Sequence, residues 1–84
     1  MNLDVLRKKI DGIDAKIVTL LEARGAVVKK VGGYKKARGI SVYDESRESA
    51  VIKNAVAHGT GVLPEETIAR IYREIIAECR KLEK

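Results

Sequence analysis

Residues 3–38 read LDVLRKKIDGIDAKIVTLLEARGAVVKKVGGYKKAR. Apolar side chains recur there at alternating steps of three and four: Leu3, Leu6, Ile10, Ile13, Ile17, Leu20, Val27, Val31 and Tyr34. This is the heptad spacing of a helix whose seam packs along other helices. One seam position departs from a simple coiled coil. Counting on from Leu20 reaches Arg24, a guanidinium where a Leu or Ile belongs. Arg7 and Lys35 flank the same seam, each one residue from an apolar member, Leu6 and Tyr34. A cation in a packed seam costs several kcal/mol unless an anion meets it. The stretch therefore reads as one long helix that carries cations inward, toward a buried anion.

A helix of that length measures about 54 Å at 1.5 Å per residue. A compact globule of 84 residues has a radius of gyration of roughly 12 Å. The helix overshoots any monomeric body the chain can build, so its seam calls for a second chain. An intertwined homodimer is the expected assembly.

The remainder of the chain fits an all-α fold. Hydrophobic residues make up 45% and charged residues 35%, with one Pro and neither Phe nor Trp, the profile of a helical domain. The long helix starts after Asn2, a capping residue, with Asp4 in the first turn. The Gly32-Gly33 pair costs about 2 kcal/mol relative to alanine and would permit a break. The seam keeps its phase across the pair, so one continuous helix is expected. Gly39 reads as its stop. Asp44 is the expected N-cap of a short helix with Arg47, Glu48, Val51, Ile52, Ala55 and Val56 on one stripe. Residues 58–61 form a turn with two glycines, and Pro64 suits the first turn of a medium-length third helix. That helix buries Ile68, Ile71, Tyr72, Ile75, Ile76, Cys79 and Leu82, with Glu83 at the edge of the face. The expectation is a single domain over residues 1–84: three helices per chain, one long, one short and one medium, and six in the dimer.

Composition narrows the function classes. Apolar runs stay far below the 18 residues of a membrane span, and the start lacks a signal-peptide pattern. A lone cysteine, Cys79, makes no intramolecular disulfide and no metal cluster; a reducing cytoplasm is expected. The net charge of +5, from 17 basic and 12 acidic residues, favours anionic partners without choosing among them. Nucleophile–His pairings, a phosphate loop and metal-ligand spacing are all missing, and His58 stands alone in a turn. What remains is a polar set: Arg7, Arg24, Lys35 and Arg47 with Asp44, Glu48 and Glu83. Arg24 and Lys35, 11 residues apart, share a helix face about 16 Å apart along the axis, close enough for long side chains to converge on a small molecule. Arg7 lies about 42 Å from Lys35 on that helix and can join such a site only from a second chain running antiparallel. A nucleic-acid-binding dimer would want its cations on an exposed stripe, whereas Arg24 faces the seam.

The motifs carry a family resemblance. Leu6-Arg-Lys-Lys-Ile10, Ile13-Asp-x-Lys-Ile17 and Leu20-Leu-Glu-x-Arg24 resemble the opening helix of the all-helical (AroQ-type) chorismate mutases. The likeness continues through Val31-Gly-x-x-Lys35, Tyr43-Asp-x-x-Arg47-Glu48 and Ile75-Ile-x-x-Cys79-Arg-Lys-Leu-Glu83, covering nearly the whole chain. It implies an isomerase that rearranges chorismate to prephenate on the route to phenylalanine and tyrosine, without cofactor or metal. It implies two interlocked chains, each site taking Arg7 from the partner. Arg24 and Arg47 then match cations at the substrate carboxylates, and Lys35 the lysine on the ether oxygen. Asp44 and Glu48 match residues near the ring hydroxyl, with Glu48 holding it. Cys79 stands where many relatives carry Ser, at the ring carboxylate; Glu83 stands where many carry Gln, the second ether-oxygen donor. An isochorismate-pyruvate lyase of the same fold would use the same dianion site, and a basic helical dimer binding nucleic acid is the alternative from another class.

Overall fold

The computed structural model describes residues 2–84. Three helices and a closing turn follow one another: α1 (Leu3–Ala37), α2 (Glu45–Ala57), α3 (Glu65–Arg80) and a 3₁₀ turn, Lys81–Glu83. The fold is all-helical, as the spacing anticipates.

Local chemistry sets the boundaries. The Asn2 side chain accepts a 2.9 Å bond from the Val5 amide and caps α1. The glycine pair does not interrupt α1, which runs for 35 residues. At its far end Gly39 takes φ +66°. The Ile40 amide then reaches back to the Lys35 carbonyl at 2.9 Å, and the Gly39 amide to Lys36 at 3.4 Å, a Schellman closure. Asp44 caps α2 through the Arg47 amide at 3.0 Å. Pro64 sits one position earlier than expected. It is the N-cap of α3 rather than part of its first turn, its carbonyl accepting from Thr67 and Ile68.

Packing is uneven along α1. Its C-terminal third lies against α3 and the 3₁₀ turn, where Gly25 and Gly32 are buried. Every residue from 2 to 23 is exposed. The body measures 55 × 23 × 15 Å with a radius of gyration of 15.8 Å, far more extended than a compact globule of this length. Along the seam Leu3, Leu6, Ile10, Ile13, Ile17 and Leu20 all face outward, Leu20 at 69% exposure. Each such side chain contributes about 1.5–3 kcal/mol when covered.

The core within one chain is small. Ala69 and Ile76 of α3 are its buried apolar side chains. Ile71 and Leu82, expected on the buried face, remain 48% and 39% exposed. Ala69 is buried because α2 packs closely over α3, and a small side chain suits that crossing. Among the described residues α2 makes no close backbone approach to α1. The space this leaves between them is where the functional residues gather.

Candidate active site

A cavity of about 450 Å³ opens between α1 and the α2–α3 pair. Val27, Val28 and Val31 of α1, Val42 of the α1–α2 connection, Val51 of α2 and Ile76 of α3 form its apolar walls. Into it reach Arg24 and Lys35 from α1, Asp44, Arg47 and Glu48 from the start of α2, and Cys79, Arg80 and Glu83 from the end of α3 and the turn. The structure thus assembles on one cavity all the residues singled out from the sequence except Arg7. Arg7 lies on the exposed half of α1, about 26 Å along the axis from Arg24.

Two polar clusters divide the cavity. In the first, Lys35 Nζ donates to the Val42 carbonyl at 3.2 Å and to Glu83 Oε1 at 3.4 Å. Both side chains are well shielded, at 18% and 10% exposure. Glu83 therefore does not trail into water at the end of the chain. Its placement comes from Gly32: a Cβ there would stand 2.6 Å from both the Cα and the carbonyl oxygen of Glu83. The 3₁₀ turn rests directly on the α1 backbone, and only a residue without a side chain permits that approach. A substitution pair tests this. Gly32→Ala should displace the turn, lowering stability by about 1–3 kcal/mol and cutting kcat/KM. Gly33→Ala, where a Cβ meets nothing within 4 Å, should keep activity and gain up to about 1 kcal/mol. Denaturant titration and steady-state kinetics on both proteins check it; equal behaviour of the two would remove Gly32 from this role.

In the second cluster Arg80 grips Glu48 side-on, Nε to Oε2 at 2.9 Å and Nη2 to Oε1 at 2.8 Å. The Tyr43 ring lies 4.8 Å from the Arg80 guanidinium carbon. The hydrogen bond to Glu48 raises the Arg80 pKa above the ordinary guanidinium value. Arg24 and Arg47 have no such carboxylate partner among the described residues. Two free guanidinium groups on an apolar-walled cavity suit a small ligand with carboxylates.

The profile of the family described as chorismate mutase type II matches residues 6–84.

The chain belongs to the chorismate mutase type II family.

The bifunctional chorismate mutase/prephenate dehydratase of Aquifex aeolicus (strain VF5) is 38% identical over 87 residues, covering 98% of this chain and 24% of that protein. The protein of the same description from Neisseria gonorrhoeae is 37% identical over 78 residues, covering 93% and 21%. The chain thus spans less than a quarter of the length of these curated relatives. Chorismate mutase (form II) from Thermus thermophilus superposes with a TM-score of 0.93 at 32% identity, covering 96% of this chain and 92% of that one.

For a chorismate mutase domain, the residue that sequence reading missed is Arg80. It stands four residues beyond Ile76, at the edge of the apolar stripe of α3. Its partner Glu48 is 32 residues away, a pairing that only the packing of α2 on α3 reveals. Tyr43, preceding the α2 cap, was the available hint: an aromatic face beside a loop invites a cation.

Proposed function

We propose that this chain catalyses the rearrangement of chorismate to prephenate as a homodimer, in the cytoplasm, with each site completed by Arg7 of the second copy. The carrying observation is the cavity between α1 and α2, where Arg24, Arg47 and Lys35 converge on apolar walls. The exposed seam of α1 supports a second copy, since it presents six large apolar side chains and Arg7 on the half of the helix remote from the cavity.

The reaction is unimolecular and pericyclic. The ether C–O bond breaks as a C–C bond forms, with no group to transfer to the protein. Two tasks remain for the site. Arg24 and Arg47, with the incoming Arg7, hold a flexible dianion by its carboxylates in the folded conformer that reacts. Lys35 supplies a fixed donor to the ether oxygen as negative charge grows there, in surroundings drier than water. Glu48 and Asp44 receive the ring hydroxyl, and Cys79 lies at the ring carboxylate. The test is prephenate formation from chorismate by the purified chain, with isochorismate assayed alongside for pyruvate release. Turnover of isochorismate alone would overturn the assignment.

Glu83 makes the reading sharper. A carboxyl donates a hydrogen bond only when protonated. Ionised, it occupies Lys35 and sets negative charge beside an oxygen that is itself becoming negative. Glu83→Gln always carries a donor and no longer pairs its charge with Lys35, so it should raise kcat/KM near neutrality. Equal kcat/KM for the two proteins near neutrality would take Glu83 away from the ether oxygen.

A further inference from the structure

We propose that Arg80 is a positioning residue that holds Glu48 as an acceptor-only carboxylate facing the cavity, and thereby selects a substrate whose ring carries a hydrogen-bond donor. The inference rests on the mutase reading above and adds to it the source of discrimination at the ring.

The geometry carries it. Arg80 meets Glu48 side-on with two bonds of 2.9 and 2.8 Å, one to each carboxylate oxygen. A carboxylate oxygen has two lone-pair directions. The guanidinium takes one on each, which leaves one on each for a ligand. Glu48 so held offers acceptors and no donor. Both partners start from elements that are packed together. Glu48 sits in the first turn of α2 and Arg80 ends α3, two helices packed on each other, and the Tyr43 ring backs the guanidinium at 4.8 Å. Both side chains line the cavity beside Asp44 and Arg47. A ring hydroxyl donates into the remaining lone pairs. A ring substituent that only accepts, such as a methoxy or keto group, meets lone pair against lone pair. A rival arrangement has Arg80 releasing Glu48 to grip a substrate carboxylate itself, and the two differ in which part of the substrate feels the loss of Arg80.

The experiment compares chorismate with an analogue lacking the ring hydroxyl. It uses the intact protein and its Arg80→Met, Arg80→Lys and Glu48→Gln forms. Arg80→Met should lose about 10- to 100-fold in kcat/KM on chorismate, the range for a hydrogen bond to a charged group. On the analogue it should stay within about two-fold of the unaltered protein, because the affected contact is absent there. Arg80→Lys should recover part of the loss, an ammonium reaching one oxygen but not both. Adding Arg80→Met to Glu48→Gln should cost nothing further on chorismate, since the two act through one contact. The ratio between substrates is read within one protein, so a lower folded fraction cancels. Equal losses on both substrates, no loss on chorismate, or additive losses in the double variant would each overturn the assignment. An unaltered protein that converts neither substrate would overturn the mutase reading, and the Arg80 assignment with it.

Discussion

Mixing Arg7→Ala with Arg24→Ala protein is expected to restore activity that neither has alone. Each variant by itself breaks both sites of its dimer. Loss of a carboxylate-gripping arginine leaves a buried anion unpaired and is expected to cost about 10²–10³-fold or more in kcat/KM. In a mixed dimer the lesions segregate. The chain with Arg7→Ala keeps its own Arg24 and receives Arg7 from its partner, so that site is whole; the other site carries both lesions. With random exchange after co-refolding, half the dimers are mixed and each holds one good site, so about a quarter of full activity should return. The measurement is chorismate turnover against mixing ratio, with heterodimers counted by native mass spectrometry. Heterodimers that form without recovering activity would sink the shared site. The same result would leave the separation of Arg7 from Arg24, about 26 Å along one helix, without a catalytic meaning.

Lys35→Ala should have the other large effect, and on a different quantity. Lys35 is held by the Val42 carbonyl and by Glu83 at the shielded end of the cavity. It is asked to act chiefly in the transition state, when charge appears on the ether oxygen. Removing one such donor should lower kcat by about 10²–10³-fold, with KM changing far less. Stability should fall by about 1–3 kcal/mol, because the shielded Glu83 carboxylate loses the cation it pairs with. Lys35→Arg should not rescue turnover, since a planar fork cannot take the place of an ammonium between Val42 and Glu83. Unchanged turnover in Lys35→Ala would remove it from the chemistry.

The fold was legible wherever one local rule governed it. The heptad phase carried α1 across Gly32-Gly33, and Asn2, Gly39 and Asp44 marked its two ends and the start of α2 by capping chemistry alone. Arg24 announced itself by occupying a place meant for Leu. What escaped was set by packing between segments distant in the chain. Gly32 looked like a weakness of α1, yet it is the seat of the 3₁₀ turn that delivers Glu83. Arg80 stood in the sequence only as part of the Cys79-Arg-Lys-Leu-Glu83 motif, because no periodicity links it to Glu48. Ala69 was passed over in favour of larger neighbours, since the tightness of the α2–α3 crossing is not written in either helix by itself. Ile71 and Leu82 lie on the expected stripe of α3, yet the single chain does not contain enough mass to cover them.

The bare first half of α1 has a consequence for how such a protein exists in a cell. With residues 2–23 left uncovered by their own chain, the second copy proposed above would supply the free energy that keeps this helix formed, and folding would be a second-order event. Mass action would then set the amount of native protein: each dilution would favour the disordered chain as surely as added urea does. For the proposed dimer, abundance would thereby be a structural parameter, and a cell making too little of the chain would lose the fold before it lost the gene product.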